Sequence, residues 1–534
     1  MNKNRYRVIF SQARGMFIAV AEIVKSRTKT AGQSIAVGTE TVTNSFTPNS
    51  YKKLNPLNFS VVTLLGAVVY TIPLSSIANT QIHADKSAPS NQQAQILNSA
   101  NGTVQVNIQS PSAGGVSRNT YTQFDVGQQG AILNNSRNNV QTQIGGWVQG
   151  NANLARGEAK VILNEVNSSN PSQLKGYLEV AGKSAQVVIA NPSGLVCDGC
   201  GVINADRFTL TTGQAVMNQG YLESFRVREG QVTIEGKGLN GSLTPYTDIY
   251  ARALKVNAGL YANELKTVLG QNDISIQDPS APQIAKAATG TNTTPQPDFA
   301  LDVGQLGGMY AGKIYLVGTE NGLGVRNAGS MNATTGQLSL NANGDLINTG
   351  NMIANKDQIA IQAQNIKNSG NISSTQHNIK ITANNIQNSG LIATNDEIQL
   401  NTQDKIDNNN GVINAGRIDF TAQFLSNDKG KIEQTGQQQL NISAKTLDNT
   451  QGLFGQATKE SSGTSGGTTT PSVTDPEQQS SAQDASKVEV APVELTPKTF
   501  HAGNIQIAQG IGNVAGQIVN NADINLKVQD SIKN

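Results

Sequence analysis

The stretch NIKNSGNISSTQHNIKITANNIQNSG (residues 365–390) repeats itself at a distance of twenty residues. Asn368-Ser369-Gly370 returns as Asn388-Ser389-Gly390, and Ile366 returns as Ile386. The period runs outward in both directions. Asn327, Asn348, Asn368, Asn388 and Asn408 mark it, tracked by Gly329, Gly350, Gly370, Gly390 and Gly411. Leu346, Ile366, Ile386 and Ile406 precede each asparagine by two. Between them lie apolar pairs at i, i+2: Leu338/Leu340, Ile359/Ile361, Ile379/Ile381, Ile398/Leu400 and Ile418/Phe420. Leu440 and Ile442 fit a further unit. Spacing of two places both side chains of a pair on one face of a strand. Asn and Gly tolerate left-handed backbone at turns. A strand-and-turn unit of this length cannot bury its apolar face alone and must stack on its neighbours.

The expected fold is therefore all-β: a right-handed parallel β-helix, or β-solenoid, with an N-terminal cap and extra-helical hairpins. Stacked coils would bring the repeating asparagines over one another as amide ladders. At twenty residues per coil, residues 79–454 predict about 19 coils and a rod of about 90 Å. An α-helical solenoid is disfavoured by the i, i+2 pairs and the frequent Asn-Gly. A leucine-rich horseshoe needs an L-x-x-L-x-L pattern that is missing. Composition agrees with many short strands and tight turns. Charged residues are only 14%, aromatics 4%, and Gly numbers 53, against a usual charged share of about a quarter.

The net charge of +2 conceals an asymmetry. Residues 1–78 hold nine Lys and Arg against Glu22 and Glu40, so the remainder is net acidic, at −5. No basic footprint for nucleic acid remains. Within YKKLNPLNFSVVTLLGAVVYTIPLSSIA (51–78), Lys52 and Lys53 precede an apolar run from Phe59 to Pro73. Ser76-Ile77-Ala78 supplies small residues for cleavage after Ala78, and Ala84 ends a second candidate site. This is the pattern of a secretory signal peptide. A membrane anchor would need about 20 apolar residues, more than this run provides. Some fifty residues precede the signal. MNKNRYRVIFSQARGMFIAVAEIVKSR alternates basic and apolar residues and could form a short amphipathic helix. It resembles the extended signal peptide region of very large Gram-negative secreted proteins, which implies regulated export through the Sec machinery.

Residues 79–310 are less regular, with short strands alternating with Gly/Asn/Ser turns, and 272–298 reads as a long loop. Two short motifs lie here: Asn151-Ala152-Asn153-Leu154 within GNANLARGEAKVILNEV (150–166), and Asn191-Pro192-Ser193-Gly194 within GYLEVAGKSAQVVIANPSGLVCDGCGVINADRFTLTTG (176–213). By residue chemistry the second is a turn: Pro presets φ, Gly supplies a positive φ, and Asn bonds its own backbone. In order, spacing and leader, the region is similar to the two-partner secretion domain of filamentous-haemagglutinin-like exoproteins. That family includes haemagglutinin adhesins, haemolysins and contact-dependent growth inhibition proteins carrying a C-terminal toxin. Its hallmarks are N-P-N-L and N-P-N-G. Ala152 and Ser193 depart from them, and turn geometry is expected to survive both changes. The resemblance covers residues 1 to about 310 by motif and the repeats by architecture. It implies passage through the periplasm and then through an outer-membrane β-barrel transporter with periplasmic domains. It also implies display at the bacterial cell surface and a receptor on a host or bacterial cell. The motif residues Asn151, Asn153, Leu154, Asn191, Pro192, Ser193 and Gly194 would serve secretion, as fold-making turns or by direct partner contact.

Cys197 and Cys200, the only cysteines, are spaced C-x-x-C. A thioredoxin-like redox motif needs a helix and a βαβ context, and neither is visible. A structural zinc site needs four ligands, and His83, His377 and His501 are distant in sequence. Passage through an oxidising compartment favours a local Cys197–Cys200 disulfide, with reactive thiols and a metal site as the alternatives. Some family members carry a cysteine pair just after the second motif.

No nucleophile elbow, H-E-x-x-H or P-loop is present, and no cofactor or metal is expected. Asp396, Glu397, Asp404 and Asp407 form the nearest carboxylate grouping, better explained as a solvated face. The expected organisation is a leader (1–78), a secretion domain (79–310), twenty-residue repeats (311–454), a polar linker (455–498) and a resumed repeat (499–534). The pattern reaches Asn534 without an evident cap, which suggests part of a longer protein or a truncated product. The expected role is an adhesin or the stalk of a contact-dependent inhibition protein. The alternatives are a β-helix polysaccharide-degrading enzyme and a non-functional remnant.

Overall fold

The computed structural model describes residues 6–11, 16–21, 82–276, 283–286, 295–456, 503–519, 524–528 and 531–533. The chain divides into two units, 1–77 and 78–534. In the first, Tyr6–Ser11 pairs antiparallel with Met16–Ala21. This segment is a strand hairpin, not the amphipathic helix considered for it. The physical reason is its composition: YRVIFS and MFIAVA are rich in aromatic and β-branched residues that favour extended backbone. The signal run and Ala78 lie outside the described residues.

The second unit is a parallel β-helix with three strand faces. Its first strands run against the later direction. Ile82–Ala84 pairs antiparallel with Val116–Phe124, and Gln95–Asn98 with Val104–Asn107. These close the N-terminal end, where an open solenoid would expose unpaired backbone. Thereafter coil pairs with coil in parallel. The first face begins with Val116–Phe124, Val161–Val166, Ala185–Ala190 and Ala205–Thr211. The second begins with Ser172–Leu174, Leu195–Cys197, Gln231–Ile234 and Ala253–Val256. The third begins with Val104–Asn107, Ala131–Asn135, Tyr177–Gly182 and Cys200–Ile203. Inward positions carry the predicted aliphatic pairs. Ile359, Ile379 and Ile398 stack in register, as do Leu346, Ile366 and Ile386, all buried.

One corner can be followed along the second face. In register it is occupied by Val126, Leu174, Cys197, Ile234, Val256, Val303, Asn327, Asn348, Asn368 and Asn388. Asn408, Asn427 and Asn449 continue it by amide contact. That makes thirteen rungs among the described residues up to 456, a stack of roughly 60 Å at the inter-strand spacing, rather than about 19. The chain was spent elsewhere, on extra-helical strands. Val140–Thr142 and Gly146–Val148 form a hairpin. Gln214–Asn218, Tyr221–Val227, Asn272–Ser275 and Gln283–Lys286 form a four-stranded antiparallel sheet. Two of those strands fall inside 272–298, which was expected to be a loop. The alternation in NDIS and its neighbour Ile276 is a strand pattern, and Ile274 is fully buried. This sheet covers an apolar stripe on the first face, packing Phe225, Val227 and Ile274 over Leu163, Val188, Ala190, Tyr250 and Val268.

The turns also have a physical reason that differs from expectation. Gly350, Gly370 and Gly390 are needed for close approach rather than positive φ. A Cβ on each would lie 2.0 or 2.1 Å from the carbonyl oxygen of the glycine one coil earlier. In the four-residue Asn-x-x-Gly turns, the left-handed residue is the one before glycine: Asn410, Lys429 and Gln451.

Candidate functional site: two asparagine-clasped turns

The two motifs share one bonding pattern, in which the leading amide accepts from the residue two ahead and donates twice to earlier chain. Asn191 is fully buried. Its Nδ2 donates to the Asn170 carbonyl and to Ser172 Oγ, both at 3.0 Å, and its Oδ1 accepts the Ser193 N–H at 3.0 Å. Asn151 is buried as well. Its Nδ2 donates to the carbonyls of Ile108 and Asn134 at 2.9 and 3.0 Å, and its Oδ1 accepts the Asn153 N–H at 3.0 Å. Each asparagine thus closes its own turn and ties that turn to an earlier part of the chain. Such bonds satisfy backbone groups that would be costly to bury unpaired.

The two departures from the family motifs fit this geometry. At the third position, Asn153 Nδ2 donates to the Ile108 carbonyl at 3.2 Å, while Ser193 Oγ donates to the Ser168 carbonyl at 2.6 Å. Serine supplies the same kind of donor with a shorter reach. At the second position, Ala152 opens a 3₁₀ turn, Ala152–Leu154, behind an extended Asn151. Leu154 is fully buried in the main core. Gly194 has φ +115°, and a Cβ there would lie 2.9 Å from the Gln231 carbonyl oxygen. Pro192 and Ser193 are only partly buried, so they are the motif's outward residues.

Cys197 and Cys200 are disulfide-bonded, with Cα atoms 5.3 Å apart. Cys197 occupies the corner row that later carries the asparagines. There each Nδ2 donates to the next Oδ1: Asn327 to Asn348, then Asn368, Asn388, Asn408, Asn427, Asn449 and Asn513, at 2.7–2.8 Å. The same corner is therefore held by a covalent bridge early and by an amide ladder late. Asn327 Oδ1, whose preceding neighbour is Val303, accepts no bond among the described residues.

Glu179 was not foreseen. Its carboxylate accepts the N–H groups of Gln143 and Ile144, at 2.7–2.9 Å, and so holds the tip of the 140–148 hairpin. Burial pushes its pKa up, against the lowering effect of those two bonds. Val148 packs with Ile132 and Ala181 beneath the same hairpin. Trp147, the single tryptophan, stays 66% exposed on it. The base of the hairpin is closed by Asn151, whose N–H donates to the Ser136 carbonyl. Only an outward-facing acid in an otherwise neutral strand, LEVAG, signalled this arrangement.

The carboxylates weighed as a catalytic group do not converge. Glu397 faces Arg417 at 3.5 Å and Asp407 pairs with Lys405 at 2.8 Å. Ala84 is the last residue of the paired strand Ile82–Ala84, and His83 is exposed beside it. His501 lies outside the described residues. Among the described residues no group of three or more His, Cys, Asp or Glu is placed to hold a metal.

A capped parallel β-helix whose first coils are clasped by two buried-asparagine turns, behind an export leader, defines a secretion domain of the two-partner type. Comparison with known proteins agrees. The TPS secretion domain model matches residues 80–348, and the model for the Extended Signal Peptide of Type V secretion system matches residues 1–47. The chain is 51% identical over 361 residues to a toxin CdiA of Yersinia pestis, covering 68% of this chain and 10% of that protein. It is 42% identical over 353 residues to a tRNA nuclease, CdiA-2, of Burkholderia pseudomallei, covering 66% and 11%. It thus spans about a tenth of the length of these curated relatives. A crystal structure of a filamentous hemagglutinin secretion domain aligns at 26% identity and a TM-score of 0.46, over 63% of this chain and 99% of that one. The chain belongs to the TPS secretion domain family. Its extended signal peptide and secretion domain send it through the periplasm to the cell surface.

Proposed function

We propose that these 534 residues form the secretion domain and the first part of the stalk of a contact-dependent growth inhibition protein. The observation that carries this reading is the 51% identity, over 361 residues, to a protein named as a toxin. The leader (1–78) directs the chain to the Sec machinery, and cleavage follows Ala78. Cleavage after Ala84 would remove the strand Ile82–Ala84 that pairs with Val116–Phe124. Residues 79–310 address the chain to the transporter and its periplasmic domains. The repeats of 311–454 and 499–534, joined by the polar segment 455–498, act as a rod that displays whatever lies beyond. A receptor on a neighbouring cell would be met there. Catalysis is not assigned to these residues; the nuclease named in the relatives belongs to those whole proteins.

Asn151, Asn153, Leu154, Asn191, Pro192, Ser193 and Gly194 serve secretion by folding the first coils, and the Cys197–Cys200 bridge pins a corner during the same step. The burial of both leading asparagines supports this over direct contact with the partner. Coils formed outside the cell would template their successors and oppose backsliding of the chain. The test is fractionation of cells carrying the transporter. Asn191→Ala should leave leader processing intact and lower surface yield, with protein held in the periplasm. Ser193→Asn should keep full yield. Undiminished surface yield of Asn191→Ala would remove this turn from the secretion mechanism.

A further inference from the structure

Between residues 200 and 415 the third face of the β-helix differs from the other two in its charge; Glu179, on the strand before, and Lys431 and Glu433, on the strand after, bound this stretch. Its strand segments Cys200–Ile203, 239–241, 259–262, 308–311, Ser330–Ala333, Asn351–Ala354, Asn371–Ser374, 391–394 and 412–415 contain no Asp, Glu, Lys or Arg. The first face carries Arg207, Asp248 and Lys266, and the second Asp302, Arg326, Lys367 and Asp407. This charge-free stretch is not simply apolar. Its outward row, read coil by coil in register, is Tyr177, Gly201, Asn240, Tyr261, Tyr310 and Asn332.

The aromatic residues of this row are seated. A Cβ on Gly201 would lie 2.5 Å from Cε1 of Tyr177, on Gly259 2.7 Å from Cε2 of Tyr261, and on Gly308 2.4 Å from Cε2 of Tyr310. Each ring therefore lies across the backbone of a glycine, close against the sheet. Tyr261 and Tyr310 are near-parallel, 18° apart with centroids 5.4 Å apart, and Tyr261 remains 50% exposed. Asn240 Nδ2 donates to the Tyr177 hydroxyl at 2.9 Å and so spans the glycine between the rings. Asn332, directly across from Tyr310, has a buried Oδ1 that accepts no hydrogen bond among the described residues.

From these features we infer that the Tyr177–Asn332 strip binds a neutral glycan chain lying along the axis of the β-helix. Seated aromatic rings offer apolar surface to the C–H faces of pyranose rings, and the interleaved amides and phenols meet their hydroxyls; sites of this kind combine aromatic walls with a few placed polar groups. A row with no charged member suits a ligand without charge, whereas a polyanion would lose its hydration with no cation in the row to meet it. The coil spacing of about 4.8 Å is close to the length of one hexose, so successive rungs meet successive sugars. The strip itself carries no carboxylate, and that of Glu179, beside Tyr177, is buried under the 140–148 hairpin and bonded to it, so the ligand is held and not cleaved. This inference concerns the outer face of the secretion domain and stands whether the whole protein delivers a toxin or adheres.

Calorimetric titration of the secreted protein tests it, with maltohexaose, cellohexaose and chitohexaose as probes and hexagalacturonate as the charged control. Saturable binding of at least one neutral hexasaccharide is expected, with its disaccharide weaker by about tenfold or more. Tyr261→Ala should weaken binding by about tenfold, Tyr261→Phe should retain it, and Lys367→Ala on the second face should leave it unchanged. If Tyr261→Ala does not fold, Asn332→Lys, which keeps every ring, should abolish binding. Failure of all three neutral probes to saturate overturns the inference. So does equal binding of hexagalacturonate, or insensitivity to both Tyr261→Ala and Asn332→Lys. Sedimentation showing self-association that Asn332→Lys disperses would instead make the strip a contact between copies, and would overturn it equally.

Discussion

At the scale of single residues, the two motifs are read best as bonding patterns. What matters at the first position is an amide that accepts from i+2 and donates backward, as Asn151 and Asn191 both do. The second position needs only a compatible φ. Asn151 is extended, at φ −81° and ψ 110°, the conformation favoured before proline. Ala152 is exposed at the first position of a 3₁₀ turn, where proline is well tolerated. Ala152→Pro should therefore raise stability by about 0.5–1 kcal/mol, by restricting the unfolded chain, as read from the urea midpoint. Glu179 gives a pH prediction. Burial holds its folded-state pKa above the ordinary carboxylate value. As pH rises through that interval, the unfolded chain has lost a proton that the folded chain still holds, so folding weakens. The stability difference between the native protein and Glu179→Gln should shift against the native protein as pH climbs from the ordinary carboxylate value to the raised one, then level off. Urea titrations at a series of pH values measure this.

Among elements, the corner row shows one geometric problem met in three ways. Apolar side chains fill it at Leu174, Ile234, Val256 and Val303, a disulfide anchors it at Cys197, and amides fill it from Asn327 onward. The ladder has a direction, because each Nδ2 donates toward the C-terminal neighbour. A finished coil therefore offers an oriented donor to the coil that follows. Removing a middle member strands a donor on one side and an acceptor on the other, whereas removing the first strands only one. Asn368→Val should cost about 2–4 kcal/mol, and Asn327→Val about half of that. Denaturant unfolding of the two variants checks the ratio, and equal costs would deny the ladder its end effect. The period, the apolar pairs and the asparagines of this ladder were legible in the sequence. The kinship of Cys197 with them was not. Insertions of different length separate its coil from theirs, so no fixed spacing links residue 197 to residue 327.

For the second unit as a whole, the repeat is a module in register with its neighbours. Ile366 pairs with Ile386 and Asn368 with Asn388, so removing residues 369–388 joins two equivalent positions. The shortened chain should still fold and reach the surface, with a stack about 5 Å shorter. Removing ten residues from the same place should break every downstream pairing and lower the yield. Small-angle scattering and surface fractionation of the two deletions make the comparison. The same stacking explains why an outward row such as Tyr177–Asn332 exists as a surface at all. Its members span 156 positions of sequence but follow one another rung by rung.

The sequence by itself determined the β-helix, because a twenty-residue apolar period can be buried only by stacking, and that constraint is local to each repeat. It also determined the export route, since the leader and the secretion-domain motifs are each legible as a short run of contiguous residues. Tertiary structure alone decided how many coils the first three hundred residues make and which segments leave the helix to form the hairpin and the outer sheet. It also decided that Glu179 anchors one of them. Those outcomes depend on the register between coils of unequal length, a relation between distant residues that no spacing along the chain encodes.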